Sequence, residues 1–318
     1  MNPTLKALAD RQGGVFSRRQ ALVAGYTPEQ VHERLRDRRW ERVRHGQYVE
    51  RTDLDHLPPW ERALLRHRRL AHAAVNSMRP GTAVVSHHSA LVLHDVPVWG
   101  VDLDEVQLTR SSTARTGSTA GVRHHHGVLT SADLDHVDHL PVTGVPRALV
   151  ETAAGSSFEA AVVSADAVLR AGKLPEAELR RVLALTDFWP GGPTVRSAFG
   201  FANGASESVG ESRLRVLMHS EGLPAPVLQA VFTDAGGFIG RVDFYFPEYR
   251  TIVEFDGLSK YADGSSLVLI REKDREDRLR ALNLQVIRIT WADLAHPRRT
   301  AMRIREAFAA AHRSHLAG

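Results

Sequence analysis

The stretch GRVDFYFPEYRTIVEFDGLSKY (240–261) decides the fold of the last third of the chain, because two apolar strands flank a turn within it. If the turn occupies residues 247–250, facing residues have numbers that sum to 497, and Asp243 lies directly opposite Glu254. Side chains alternate along a strand. The pattern therefore predicts one face that carries acids and one apolar face formed by Val242, Phe244, Phe246, Val253 and Phe255.

The opposed acids require an explanation, since like charges on directly facing residues, with Cβ atoms about 4.5–5.5 Å apart, destabilise a sheet. A raised carboxyl pKa, a basic neighbour such as Arg241, or a divalent cation such as Mg²⁺ would each offset the repulsion. The alternative is a solvated strand face with ordinary salt bridges. Asp256 at the strand end and Glu211 on the preceding helix extend the acidic group and favour a site.

The elements around this hairpin follow a recognisable order. From residue 207 the periodicity predicts a helix, three strands, a charged helix, a strand and a last helix. Together, GRVDFYFPEYRTIVEFDG (240–257) and EKDREDRLRALNLQVIRITWADL (272–294) resemble the very-short-patch-repair-like branch of the PD-(D/E)XK nuclease superfamily, over roughly the last 110 residues. The resemblance implies an α/β restriction-endonuclease-like fold and a phosphodiesterase that uses Mg²⁺, with Mn²⁺ as the alternative metal.

The resemblance also implies roles for individual residues. Asp243 matches the first metal-binding Asp, Glu254 matches the acid of the next strand, and Glu211 matches the helical acid that often completes the site. Where the superfamily commonly has Lys two residues after the Glu, this chain has Asp256. The catalytic lysine would then be Lys260 or Lys273, and the sequence does not decide between them. Most other charges of the following helix are expected to form ordinary i,i+4 pairs.

The basic excess of the chain lies at its N-terminus. Residues 1–50 contain ten Lys/Arg against six Asp/Glu, whereas the later regions are nearly balanced. These residues are expected to neutralise DNA phosphates, and the candidates are Arg34, Arg36, Arg38, Arg39, Arg42 and Arg44. The alternative is that neighbouring acids pair with them on a solvated surface, and those acids are Glu33, Asp37 and Glu41.

Helix boundaries are well marked in the same segment. Ser17 and Gly25 delimit one helix, and Thr27 with Gln30 forms a capping-box pattern that begins a second helix over 28–39. A hairpin follows over residues 40–50, with its turn at Gly46. With an earlier helix over 4–12, this order predicts a winged helix-turn-helix.

Three segments carry a second resemblance. GGVFSRRQALVAGYTPEQVHERLRDRRWERVRHGQYV (13–49) resembles the winged-helix domain of AbiEi-type antitoxins, which are transcriptional regulators. SHHSALVLHDV (86–96) and PVTGVPRALVETA (141–153) resemble, less closely, the domain that follows it in that family. The resemblance implies DNA binding and autoregulation, and a toxin partner does not follow from it.

The expected organisation is a multidomain α+β protein. Its parts are a winged-helix domain (1–52), an α+β middle domain (53–190), a linker (191–206) and a PD-(D/E)XK nuclease-like domain (207–318). The absence of cysteine excludes disulfides, thiolate metal sites and a cysteine nucleophile. Without a signal peptide or an apolar run long enough for a membrane span, the expected location is the cytoplasm.

The histidine run at 124–126 does not predict a metal site, because His124 and His126 share a strand face without His125 and no carboxylate stands at ligand spacing. The sequence instead predicts a DNA-binding, Mg²⁺-dependent endonuclease that cuts double-stranded DNA in defence, toxin-antitoxin function or repair. One alternative is an antitoxin-like transcriptional regulator with an inactive nuclease fold, and another is an interaction module. A homodimer is compatible with each, since winged-helix regulators and double-strand cutters often pair.

Overall fold

The structure is a computed structural model that describes residues 1–110, 116–257 and 266–316. The chain divides into two compact units, Met1–Ser164 with Gly172–Gly200 and Ala165–Ala171 with Phe201–Gly318. Three separate β-sheets and many helices make it a mixed α/β, multidomain protein. Lys260, one of the two candidate catalytic lysines, lies outside the described residues. No helix within the described ranges combines the length and the apolar character that crossing a bilayer requires.

The N-terminal part of the first unit contains three short helices and a small antiparallel sheet. The helices are α1 (Pro3–Asp10), α2 (Arg18–Val23) and α3 (Pro28–Arg36). The strands are β1 (Val15–Ser17), β2 (Trp40–Arg44) and β3 (Gln47–Glu50), in the order β1-β3-β2. The predicted helices and hairpin are confirmed, and β1 was not predicted.

Local chemistry explains these boundaries. Ser17 and Thr27 each accept a hydrogen bond from the backbone N–H three residues later, and the Gln20 and Gln30 side chains accept one from the backbone N–H of the cap residue. The predicted capping box at Thr27 is therefore confirmed. An aromatic core joins helices and sheet, since Trp40 packs edge-on against Phe16 and Tyr26 with ring centroids 4.7 and 5.0 Å away.

The rest of the first unit is built on a six-stranded mixed sheet. Its helices are α4 (Pro59–Asn76), α5 (His87–Leu93), α6 (Val145–Ala154), α7 (Phe158–Arg170) and α8 (Glu176–Leu185). The strands are β4 (Val84–Val85), β5 (Val106–Arg110), β6 (Gly117–Thr119), β7 (Val122–His126), β8 (Leu134–Val137) and β9 (Leu140–Thr143), in the order β6-β7-β5-β4-β9-β8.

For this region, hydrophobic periodicity predicts helices over about 59–78, 86–94, 146–171 and 175–185 and strands near 105–110 and 121–126. Helices α4, α5 and α8 and strands β5 and β7 lie where periodicity placed them, but β4, β6, β8 and β9 were missed. The helical run expected over 146–171 is two helices, because the chain leaves α6 at its C-cap, Gly155. Helix α9 (Gly192–Phe201) occupies most of the segment expected to be a linker.

The second unit centres on a four-stranded sheet. Its elements are α10 (Val209–Ser220), β10 (Val227–Asp234), β11 (Gly237–Phe246), β12 (Thr251–Asp256), α11 (Ser266–Ala281), β13 (Gln285–Thr290), α12 (Trp291–Leu294) and α13 (Pro297–Leu316). The strand order is β10-β11-β12-β13. The first two pairs are antiparallel, and β13 returns parallel to β12 after α11. The predicted order of elements is confirmed.

The predicted register of the hairpin is also confirmed. Phe244 lies opposite Val253, and Tyr245 lies opposite Ile252, so the facing numbers sum to 497. A single 3₁₀ turn over Pro247–Tyr249 joins the strands.

The prediction of one apolar face is confirmed for Phe244, Phe246, Val253 and Phe255 and wrong for Val242. Phe244, Val253 and Phe255 pack in one buried cluster, but Val242 and Ile252 belong to a second cluster that includes Leu279 of α11. Alternation therefore breaks between Val242 and Phe244, which pack in different clusters although they are two residues apart on β11. On the neighbouring strand, Gln229 stands between the pairs Leu228–Phe244 and Ala230–Val242 and has a positive φ of 53°. Both faces of the sheet are therefore covered.

Candidate functional site

Asp243 lies on β11, the strand that pairs with β12. Its Oδ2 accepts a hydrogen bond of 2.8 Å from the backbone N–H of Phe255, the residue after Glu254. The carboxylate therefore points along the plane of the sheet toward β12. It is close enough to Glu211 and Glu254 to raise the pKa of both carboxyls. The structure thus brings together the three acids that the sequence placed in one site.

Glu254 is a buried carboxylate that is already paired with arginine. It is 7% exposed, and its Oε1 accepts a hydrogen bond of 2.6 Å from Nη2 of Arg275 on α11. Arg288 on β13, its partner in the parallel register, approaches Oε2 with its Nε at 3.9 Å. Burial raises the pKa of Glu254, Arg275 opposes that shift, and Asp243 adds to it.

Glu211 caps the helix that carries it. Its carboxylate accepts hydrogen bonds from the Glu207 N–H at 2.9 Å, the Ser208 hydroxyl at 2.8 Å and the Gln229 amide at 3.0 Å. In return, Ser208 accepts from the Glu211 N–H at 3.1 Å, which completes a cap for α10. Burial raises the pKa of Glu211, and Asp243 raises it further. The interactions of Glu211 are those of a structural residue.

The charges that oppose the acids come from α11 and β13. Arg275 bridges Glu254 and Glu272, with Nη2 at 3.1 Å from Glu272 Oε1. Arg288 also pairs with Glu272, at 2.7 Å, so the two arginines share one acid. Arg241 is not the basic neighbour, because its guanidinium pairs with Glu207 at 2.8 Å. The sequence analysis missed Arg288, although the parallel position of β13 beside β12 offered a signal.

Two further catalytic candidates, Asp256 and Lys273, lie on β12 and α11 within the described residues. Asp256 ends β12, half-buried and opposite Thr290 of β13. Lys273 is exposed on α11. Arg278, also on α11, forms two hydrogen bonds to Asp234, at 2.6 and 2.9 Å.

The acids do not fit a metal ion as they are arranged. Among residues 1–110, 116–257 and 266–316, no three His, Cys, Asp or Glu side chains are grouped so that they could hold one. Glu254 bonds to Arg275, and both oxygens of Glu211 accept hydrogen bonds within or beside the cap of α10. With the bond from the Phe255 N–H to Asp243, all three carboxylates already have hydrogen-bond donors.

The exposed arginines of the N-terminal part form a second candidate site. Arg36, Arg38, Arg39 and Arg42 are exposed at the end of α3 and along β2. Of the acids expected to neutralise them, Asp37 lies 3.3 Å from Arg36. Glu41 pairs with Arg51 instead. This surface keeps several cations available to a polyanion.

Arg34 and Arg44, the other two candidates, are engaged within the first unit. The Arg34 guanidinium lies 5.2 Å from the centroid of the Tyr26 ring and 5.5 Å from that of Trp40. These cation–π contacts tie it to the aromatic core. Arg44 donates a hydrogen bond of 3.0 Å from Nη2 to the carbonyl of Ala120, and burial lowers its pKa.

The histidines of the six-stranded sheet join a buried polar cluster that sequence reasoning missed. His125 stacks on His87 with ring centroids 3.7 Å apart and lies 2.7 Å from the Gln107 amide oxygen. Glu151, which bonds to Arg147 at 2.7 Å, lies 3.6 Å from His87. Burial lowers the pKa of His87 to about 3 and that of His125 to about 4. These rings are neutral and serve packing.

A family model matches the N-terminal part of the chain. Residues 3–50, the segment that holds the three helices and the exposed arginines, match the family model of transcriptional regulators of the AbiEi antitoxin type. The N-terminal part of this chain is therefore similar to AbiEi antitoxin-type regulator domains, as its sequence resemblance implied.

The longer similarity is to a mycobacterial protein. The chain is 30% identical over 191 residues to "Uncharacterized protein Rv2248" of Mycobacterium tuberculosis strain H37Rv, which covers 60% of this chain and 69% of the relative. "Uncharacterized protein MT2308" of strain CDC 1551 matches with the same identity and coverage. The chain belongs to the family of these two proteins.

Proposed function

We propose that the protein is a DNA-binding transcriptional regulator. The observation that carries the proposal is the match of residues 3–50 to AbiEi-type regulators, on the segment with the exposed arginines. In this proposal α2 and α3 form a helix-turn-helix, β2 and β3 form the wing, and the fold of this part is a winged helix. Double-stranded DNA is the partner, and a cytoplasmic location and a homodimer belong to the same proposal.

The chemistry of α3 supports this role. Gln30, His32 and Glu33 are exposed along the helix and offer the polar groups that read base edges. Arg36 ends the helix, and Arg38, Arg39 and Arg42 continue the charge into β2. Arginines at such positions fix the protein on the phosphates, while the helix supplies specificity.

The test is a salt titration of duplex binding by fluorescence anisotropy, with genomic fragments selected by the native protein. Arg36→Ala should weaken binding and reduce the slope of log K against log salt by about 0.9, the value of one lost phosphate contact. Arg66→Ala is the matched control, since Arg66 is 70% exposed on α4 and pairs with Asp104. Equal slopes for the two variants would contradict the proposal.

We propose as a second candidate that the second unit is a metal-dependent nuclease of PD-(D/E)XK type. The hydrogen bond from the Phe255 N–H to Asp243, which holds this carboxylate next to Glu254, supports it together with the order of helices and strands. Mg²⁺ or Mn²⁺ would be the cofactor, with Lys273 or Lys260 near the phosphate. Two features argue against the nuclease candidate. They are the ion pair of Glu254 with Arg275 and the presence of Asp256 in place of the usual lysine. These two features support instead a nuclease-like fold that no longer cuts and binds a partner.

Plasmid nicking in Mg²⁺ and in Mn²⁺ separates the two candidates. A nuclease should convert supercoiled DNA to the open circle, and Asp243→Ala and Glu254→Ala should abolish the conversion. A regulator with an idle fold should leave the plasmid intact in all three forms, yet still bind duplex DNA. Equal nicking by all three would assign the activity to a contaminant and remove the second candidate.

A further inference from the structure

Three basic side chains converge where the hairpin of the N-terminal part meets the six-stranded sheet. Arg44 ends β2 and bonds to the carbonyl of Ala120, in the turn between β6 and β7. His124 lies on β7, opposite Leu108 of β5, and Arg110 is two residues further along β5. Because side chains alternate along a strand, Arg110 and His124 project from the same face of the sheet.

Each of these side chains has a buried nitrogen without a partner in the part of the chain that the structure describes. The atoms are Nη1 of Arg44, Nε of Arg110 and Nδ1 of His124. Buried polar groups are almost always hydrogen-bonded, so three orphans in one place require an explanation. None of the three side chains forms an ion pair within the described ranges.

The basic groups around these atoms repel one another. Burial lowers the pKa of His124, and the positive charges of Arg110 and Arg44 lower it further, so the groups are near enough to repel one another. Burial also lowers the pKa of Arg44. A cluster of cations without an acid is costly unless an anion offsets the repulsion.

We propose that Arg44, Arg110 and His124 form a binding site for a phosphate group. Guanidinium groups present several N–H donors in a fixed plane, and charge-assisted bonds to phosphate oxygens are among the strongest hydrogen bonds in proteins. An imidazole N–H, after a change of tautomer or protonation, supplies a further donor. The same chemistry suits a free phosphate-bearing anion and a phosphodiester of the DNA backbone.

The proposed phosphate site lies between the hairpin of the N-terminal part and the six-stranded sheet. Arg44 belongs to the hairpin, whereas Arg110 and His124 belong to the sheet of the same unit. A bound phosphate would therefore hold the hairpin at the β6–β7 turn by bonds from both sides. The inference stands without the proposed regulator function, and if the phosphate belongs to DNA it extends the surface formed by the exposed arginines.

Thermal unfolding and calorimetry in phosphate-free buffer, with added inorganic phosphate, test the site directly. Phosphate should raise the midpoint of the native chain, and Arg110→Gln or His124→Gln should weaken phosphate binding about tenfold or more. Arg66→Gln, which removes an exposed and paired arginine, should respond as the native chain does. Equal phosphate responses of Arg110→Gln and Arg66→Gln, or no response of the native chain to phosphate or to duplex DNA, would overturn the proposal.

Two further measurements identify the phosphate and guard against misfolding. Without phosphate, Arg110→Gln should melt at or above the native midpoint, because it removes one of the repelling charges; a clearly lower midpoint would mean a structural arginine and overturn the site. Duplex binding then distinguishes the source. If Arg110→Gln loses DNA affinity, the bound phosphate belongs to the DNA backbone. If it loses phosphate binding but keeps its DNA affinity, the ligand is a free anion. If Arg36→Ala also leaves DNA affinity unchanged, the regulator proposal fails while the phosphate site stands.

Discussion

Replacing Arg275 by methionine tests whether arginine, rather than a metal ion, stabilises the acids of the second unit. Glu254 is buried and bonds to Arg275 at 2.6 Å, and a second cation, Arg288, lies 3.9 Å from its carboxylate. Removing one partner of a buried ion pair costs about 3–5 kcal/mol, because the other charge remains buried. We expect a loss of about 3 kcal/mol in the free energy of unfolding, at the low end because Arg288 is near.

The loss should depend on pH in a defined direction. Burial and Asp243 already raise the pKa of Glu254 above its ordinary value of 4.5, and removal of Arg275 should raise it further. A carboxyl whose pKa is higher in the folded state than in the unfolded state destabilises the fold at pH values above its unfolded-state pKa. At pH values below that pKa this loss of stability disappears. The penalty of Arg275→Met should therefore be larger at pH 8 than at pH 5.

Urea denaturation at both pH values measures this penalty, with Arg280→Met as the matched control on the same helix. Arg280 is 59% exposed and forms an i,i+4 pair with Glu276, which is worth about 0.3–0.5 kcal/mol. A penalty for Arg275→Met no greater than that of the control, or independent of pH, would refute the reasoning. Adding Mg²⁺ extends the assay, since stabilisation of Arg275→Met by Mg²⁺ would favour the nuclease candidate.

Other parts of the molecule give three further predictions. A methyl group at Gly210 would lie 1.9 Å from the Phe255 ring, so Gly210→Ala should cost about 1–3 kcal/mol in urea denaturation, whereas Gly200→Ala, with open space around it, should stabilise by about 0.5–1 kcal/mol. Burial lowers the pKa of His67 to about 4, so stability should fall as pH drops from 6.5 toward 4, and His67→Gln should flatten that dependence in a pH series of thermal melts. Asp166 accepts two bonds of 2.7 Å from buried Arg215, and Asp166→Asn should lower the unfolding free energy by about 3–5 kcal/mol, a result that an unchanged urea midpoint would contradict.

Local signals in the sequence were sufficient for much of the fold. Thr27 and Gln30 mark the start of α3 because the capping box is a contact within four residues. The register of the hairpin follows from turn length, so the facing of Phe244 and Val253 could be calculated. Strands of two to four residues, such as β1 and β4, leave no periodicity, since their pairing depends on distant partners.

The candidate site was harder to predict because its charges come from separate elements. The acids could be placed from strand alternation, but Val242 and Phe244 pack in different clusters, which alternation along one strand does not predict. The ion pair between Arg275 and Glu254 spans 21 residues and depends on how α11 crosses the sheet. A helix full of charges gives no sign of which arginine turns inward.

The hydrogen bonds of the Asp166 carboxylate determine where this protein can be divided into fragments. Besides Arg215, it accepts hydrogen bonds from the Ser212 hydroxyl and the Asn203 N–H, and all four residues belong to the second unit. Asp166, however, lies on α7, a helix that begins some forty residues earlier in the chain than this unit's main segment. A fragment cut at residue 207 would keep the arginine and lose the carboxylate. The second unit is not an independent module in the chain, and it should be expressed with α7.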